Sequence, residues 1–148
     1  MGDFAQLGLD ARLGHALAQM GLAAPTAVQC AVLPLALAGR DVLVRAPTGS
    51  GKTLAYLLPV LQRVLSVTED AGVGTGTGTG SGAGPVAVVL VPTKELARQV
   101  SDVLEQVGRQ CGKDAVRVCN LAGSESVTAQ RAALQAARAH VVVATPSR

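Results

Sequence analysis

Residues 46–53 read "APTGSGKT". A glycine-rich turn that ends in Lys and Thr has the parts of a phosphate cradle. Gly49 and Gly51 let the backbone turn with its N–H groups pointing inward, while Ala46, Pro47, Thr48 and Ser50 complete the loop. Lys52 can reach the β- and γ-phosphates of a nucleotide, and the Thr53 hydroxyl can ligate Mg²⁺. These two are the candidate catalytic residues. The general pattern has Gly where this chain has Ala46. A helix beginning at Lys52 would add positive potential at the phosphates. A second stretch, "PTAVQ" at 25–29, reads by itself as a helix start with an exposed amide. The amide of Gln29 offers a donor and an acceptor, which match N6 and N7 of adenine. No Asn-Lys-x-Asp segment is present to suggest guanine. The expected cofactors are therefore ATP and Mg²⁺.

Such residues need strands to present them and helices to flank them. Three Val-rich runs, 41–46 ("DVLVRA"), 86–91 ("VAVVLV") and 140–144 ("HVVVA"), suit strands buried on both faces, and 116–121 ("VRVCNL") is a weaker fourth. Helical spacing lies between them. Leu54, Leu57, Leu58, Leu61 and Leu65 form one stripe over 52–67, and Leu96, Val100, Val103, Leu104 and Val107 form another over 93–110. The Ala-rich stretch 126–138 predicts a further helix, and two more, at 11–20 and 26–38, precede the first strand. Strands alternating with helices predict an α/β fold with a mainly parallel sheet covered on both sides, a three-layer αβα arrangement. In such sheets ligands bind just past the carboxyl ends of strands. "PTKELA" at 92–97 and "TPSR" at 145–148 both fall there. Thr93 reads as a helix N-cap whose free amides could hold a phosphate.

Composition narrows the function classes. The 148 residues are about one domain, and with 49% hydrophobic residues disorder throughout is excluded. The aromatics are only Phe4 and Tyr56, so the core must be Val, Leu and Ala. The net charge is +3, and the excess lies after Thr93. Cys30, Cys111 and Cys119 lack metal-ligand spacing and read as thiols of a reducing compartment. No apolar run reaches the roughly 18 residues that span a bilayer, and no leader sequence is visible, so no membrane association is expected. His15 and His140 lack an apparent nucleophile or metal partner and are expected at the surface or a strand edge. The stretch 71–85 ("AGVGTGTGTGSGAGP") holds seven of the 17 Gly and no charge, and reads as a flexible insertion.

Phe4, seventeen residues before Gly21, then "PTAVQ", "APTGSGKT", "PTKELA" and "TPSR" resemble the DEAD-box RNA helicases in order and spacing. The resemblance spans the chain apart from the Gly-Thr insertion, and "LVPTKELARQV" and "VVVATPSR" are most similar to the nucleolar subfamily acting in large ribosomal subunit assembly. It implies a RecA-like P-loop NTPase domain, residues 1–148 being part of the first such domain and 1–29 its Q-motif region. It implies that Phe4 stacks on adenine, that Pro25 and Gln29 belong to the nucleotide site, and that Pro92, Thr93, Lys94, Gly123, Thr145, Pro146, Ser147 and Arg148 contact the RNA sugar-phosphate backbone without sequence preference. It also implies a monomer, pre-ribosomal particles as partners and a nucleolar location. Three positions depart from the family pattern. Lys94 replaces the commoner Arg, Ser147 the commoner Gly, and Leu22 the usual aromatic.

Hydrolysis needs an apolar strand ending in Asp or Glu to hold the metal and orient water. The runs at 86–91, 116–121 and 140–144 end without one. The family's Asp-Glu-Ala-Asp element and its second domain would come after Arg148, so the domain is expected to be incomplete at its C-terminus and inactive alone. Two other readings share these residues: a non-catalytic RNA-binding or regulatory short form, and an unrelated small P-loop phosphotransferase.

Overall fold

The computed structural model describes residues 3–73 and 84–146. The chain divides into two units, Met1–Gln62 and Arg63–Arg148. The first is helical. It opens with a 3-10 turn, Phe4–Leu7, whose Asp3 cap accepts the N–H of Ala5 at 3.3 Å. Asp10 starts α1 (Ala11–Gln19), accepting the Arg12 N–H at 2.8 Å and pairing with its guanidinium at 2.7 Å. That side-chain hydrogen bond holds the Asp10 carboxyl below the usual range. The N–H of Asp10 itself donates to the Gln62 side chain at 2.8 Å. Leu13, Ala16 and Leu17 form the buried stripe of α1. Then comes α2 (Ala27–Leu37), with Thr26 as its N-cap, Ala38 as its C-cap and Pro34 in its interior.

The expected strand over 41–46 does not form. Those residues carry no regular structure, and Leu43 is 100% exposed. An apolar run becomes a strand only when a neighbour completes its hydrogen-bond ladder. No strand among the described residues pairs with it.

The helix α3 (Lys52–Val73) begins in the first unit and continues into the second. Its leucine stripe is buried at Leu57, Leu58, Leu61 and Leu65. It ends at Val73 rather than at residue 67, and so takes in the start of the stretch expected to be a flexible insertion. Residues 74–83 of that stretch lie outside the described residues.

The second unit is built on a parallel sheet. Its strands are β1 (Ala87–Leu90), β2 (Val118–Asn120) and β3 (Val141–Ala144), in the order β1-β3-β2. Val141 pairs with Ala87 on one flank and with Val118 on the other. All four residues of β3 are buried, as a strand flanked on both sides should be. At the edge, Val88 and Leu90 of β1 are 62% and 63% exposed. Between β1 and β2 runs α4 (Lys94–Cys111), which packs on β2 and β3 and buries Ala97, Val100, Leu104 and Val107. A glycine lets it come close: a β-carbon at Gly108 would stand 2.7 Å from that of Val116. The last helix, α5 (Val127–Ala137), is capped by Ser126, which accepts the Ala129 N–H at 3.2 Å. Cys111 and Cys119 are buried thiols, and Cys30 is exposed.

His140 is a fixed point at the start of β3 and not simply an edge residue. Its Nδ1 accepts the Arg117 N–H at 3.2 Å, and the Arg117 guanidinium reaches back to the Arg138 carbonyl at 2.8 Å. Burial first, and then the Arg117 charge, lower the His140 pKa from its ordinary 6.5. The fold thus favours the neutral ring. That contribution is fully present above the unfolded value of about 6.5 and is lost as pH falls through the lower folded value. The melting temperature is expected to decline as pH drops from 7 to 5, and the His140→Gln variant should show a flatter profile over that window.

Candidate functional site

The loop of residues 46–53 has the backbone that a phosphate cradle needs. Gly49 and Gly51 take φ of 78° and 90°, a region that side chains resist. Lys52 and Thr53 open α3, where unpaired helix amides attract anions. The Lys52 ammonium donates to the carbonyl oxygens of Ala46 and Pro47, so an entering phosphate must take over donors that now hold the loop to itself. The Ser50 hydroxyl is buried and has no hydrogen-bond partner. A buried orphan donor inside a phosphate loop is one that a phosphate oxygen would satisfy. Thr53 shares a side-chain hydrogen bond with Tyr56, whose pKa is raised by burial. Among the described residues no group of three or more His, Cys, Asp or Glu could hold a metal. These residues fit a nucleoside triphosphate and its metal.

The loop is tied to α2 by Gln29. Thr26 and Gln29 form a reciprocal cap: the Gln29 Oε1 accepts the Thr26 N–H at 3.0 Å, and the Thr26 hydroxyl accepts the Gln29 N–H at 3.4 Å. The remaining end of the amide donates to the Gly51 carbonyl at 3.1 Å. Gln29 is 3% exposed. Both ends of the amide expected to meet adenine are therefore engaged by the protein, and Gln29 fixes the loop. Phe4 is also 3% exposed, so its ring is taken up by the helical core and offers little face for stacking. Pro25 is half-buried just before the cap, and Thr48 is exposed.

A separate cleft of about 530 Å³ lies in the second unit, on the first turns of α4 and the loop from β2 to α5. Lys94, Arg98, Asn120, Gly123, Glu125 and Gln130 line it. The loop is fixed by bonds within it and to α5 and β3. Asn120 Oδ1 accepts the Ala122 N–H at 2.9 Å, Gln130 Nε2 donates to the Leu121 carbonyl at 3.0 Å, and the Leu121 N–H donates to Val143 at 2.8 Å. The structure thus brings together Lys94 and Gly123, which lie far apart in sequence. Pro92 and Thr93 are exposed at the carboxyl end of β1, where Thr93 caps α4 by accepting the Leu96 N–H at 3.2 Å. Thr145 is buried and Pro146 exposed at the carboxyl end of β3. Ser147 and Arg148 lie outside the described residues. Arg98, Asn120, Glu125 and Gln130 were not expected here. For Arg98 a signal existed, because it follows Lys94 by four residues on one helix face.

Gly51 admits no side chain. A β-carbon there would stand 2.7 Å from Gln29 Nε2 and 2.9 Å from Thr26 Oγ1, at a φ that costs an L-residue about 1–3 kcal/mol. The Gly51→Ala variant is expected to melt lower and to lose at least tenfold in affinity for a fluorescent ATP analogue. Gln29→Ala should lower the melting temperature through the same cap, by about 1–2 kcal/mol of stability. Thermal melts and titration of the analogue check both.

A family model described as DEAD/DEAH box helicase matches residues 26–148. The chain is 45% identical over 146 residues to the ATP-dependent RNA helicase DBP9 of Pyricularia oryzae, a match that takes in 98% of this chain and 21% of that protein. It spans about a fifth of the length of the curated relatives it matches. Among solved structures, it superposes on the RNA helicase Prp28 from Chaetomium thermophilum bound to ADP, with a TM-score of 0.77 and 33% identity, covering 100% of this chain and 33% of that one. It also superposes on the DEAD-box helicase Mss116 bound to ssRNA and UDP-BeF, with a TM-score of 0.82 and 25% identity, covering 100% of this chain and 29% of that one. The fold is α/β and RecA-like, and with a phosphate loop at the start of α3 and a family match over most of its length, the chain belongs to the DEAD/DEAH box helicases.

Proposed function

We propose that these residues are the amino-terminal part of an ATP-dependent RNA helicase, and that they hold ATP with Mg²⁺ in one unit and the RNA backbone in the other. The observation that carries the reading is the phosphate loop. Its two positive-φ glycines, its buried unpartnered Ser50 hydroxyl and its Lys52 and Thr53 at a helix start suit a triphosphate and its metal. When bound, the metal would neutralise phosphate charge. The protein's part is to orient the phosphates with backbone amides and Lys52. ADP in the Prp28 structure and UDP-BeF in the Mss116 structure support a nucleotide as one ligand, and ssRNA in the Mss116 structure supports RNA as the second. Lys94 and Gly123, in one cleft with Arg98, are the RNA contacts favoured here, with Pro92, Thr93, Thr145 and Pro146 beside the strand ends. Work on pre-ribosomal particles in the nucleolus, as a monomer, is the setting that the similarity of "LVPTKELARQV" and "VVVATPSR" to the nucleolar subfamily suggests.

None of the described strands ends in a carboxylate, so these 148 residues are expected to bind ATP without turning it over. Labelled ATP should be displaced by ATP and ADP and much less by GTP. Phosphate release with ATP, Mg²⁺ and RNA should not exceed that of Lys52→Ala. Equal displacement by GTP would overturn the adenine assignment, and RNA-stimulated release that vanishes in Lys52→Ala would reveal a water-positioning group.

Backbone contacts predict RNA affinity that ignores sequence and falls with salt, with a log-log slope of about −0.7 per phosphate neutralised on a single strand. Fluorescence anisotropy with two unrelated single strands over a salt series measures this. The Lys94→Ala variant should bind both strands more weakly and show a slope smaller by about one contact.

A further inference from the structure

The Glu125 carboxylate folds over Gly123. A β-carbon built on Gly123 would stand 1.9 Å from Glu125 Oε2 and 2.7 Å from its Cδ. Gly123 has no positive φ, so its backbone does not require glycine. What the missing side chain makes room for is the carboxylate. Both residues line the cleft that Lys94 and Arg98 also line, with Glu95 as a second anion. Two cations and two carboxylates therefore share one cleft, and one carboxylate rests on the glycine expected to meet a phosphate. Two like charges cannot share that position without repulsion. Glu125 is exposed and sits in a loop, on a side chain with three rotatable bonds.

We infer that Glu125 is a built-in electrostatic gate on the cleft: an anion that a phosphate of the RNA backbone must displace from Gly123 before Lys94 and Arg98 can hold it. This rests on the reading of the cleft as an RNA-backbone site. The gate lowers affinity for isolated phosphates. It favours a strand that engages several contacts at once, because only the summed attraction pushes the carboxylate away.

The test compares the 148-residue chain with Glu125→Gln, which keeps the shape and removes the charge, and with Glu105→Gln, which removes the same charge from an exposed site on α4 outside the cleft. Binding of a labelled single-stranded RNA is followed by anisotropy at low and high salt, with thermal melts to confirm folding. Glu125→Gln should bind roughly threefold tighter at low salt, the size expected for screened repulsion between exposed charges, and the gain should shrink as salt rises. Glu105→Gln should change affinity much less. Glu125→Asp, whose carboxylate is retained on a shorter stem, should fall between the unmutated chain and Glu125→Gln. If Lys94→Ala weakens RNA binding while Glu125→Gln leaves it unchanged or weaker, the gate is wrong and the RNA reading stands. If Lys94→Ala has no effect, or no RNA binds to any of the proteins, the RNA reading of the cleft fails and the gate fails with it. An equal gain in Glu105→Gln would assign the effect to net charge and overturn the gate.

Discussion

The second unit depends on β3 being paired in parallel on both flanks. Val141 stands beside Ala87 and beside Val118, and the whole strand is buried. Parallel pairing aligns the carboxyl ends of all three strands at one edge of the sheet. Pro92 to Lys94, the loop after Asn120, and Thr145 with Pro146 all leave from that edge, although the chain visits them separately. Four consecutive apolar residues with no polar side chain are what permit β3 to sit in the middle.

In the first unit the comparable constraint is Gln29. Its carbonyl completes a helix cap and its amino group anchors the turn at Gly51, so one buried side chain ties α2 to the phosphate loop. Buried amides persist when both ends are satisfied, and this one is. The closeness of Thr26 and Gln29 to Gly51 then explains why position 51 is glycine in terms of space as well as φ. Lys52 contributes from the other side by bonding to the loop's own carbonyls. The loop is therefore shaped by protein groups, and a phosphate exchanges partners with it instead of creating the shape.

Charge does different work in the two units. The phosphate loop relies on backbone amides and one Lys, with no acidic side chain among residues 46–53. In the cleft, Lys94 and Arg98 share the lining with Glu95 and Glu125, so the local balance is neutral although residues 94–148 carry the chain's positive excess. Net charge by segment gives only the size of the excess, and side-chain placement shows how it is balanced locally.

The sequence by itself determined what local chemistry controls. Thr93 caps its helix as expected, because a short hydroxyl can accept the amides of the first turn, and Thr26 and Ser126 cap theirs in the same way. The glycines and Lys52 of the loop were legible for the same reason, since their roles follow from neighbours within eight residues. Of the three Val-rich runs, those at 86–91 and 140–144 became the strands at 87–90 and 141–144, and the weaker fourth became the strand at 118–120. Tertiary structure decided what depends on partners remote in sequence. Residues 41–46 were expected as a strand on the same grounds as β1 but stay irregular without a paired neighbour. Gln29, from its amide, and Phe4, from the resemblance, were expected at the nucleotide, and only the folded chain shows that both are buried. The order β1-β3-β2 and the meeting of Lys94, Arg98, Gly123 and Glu125 arise from packing of α4 and α5 against the sheet. A residue's type limits the bonds it can make, and only the folded chain fixes which partner is within reach.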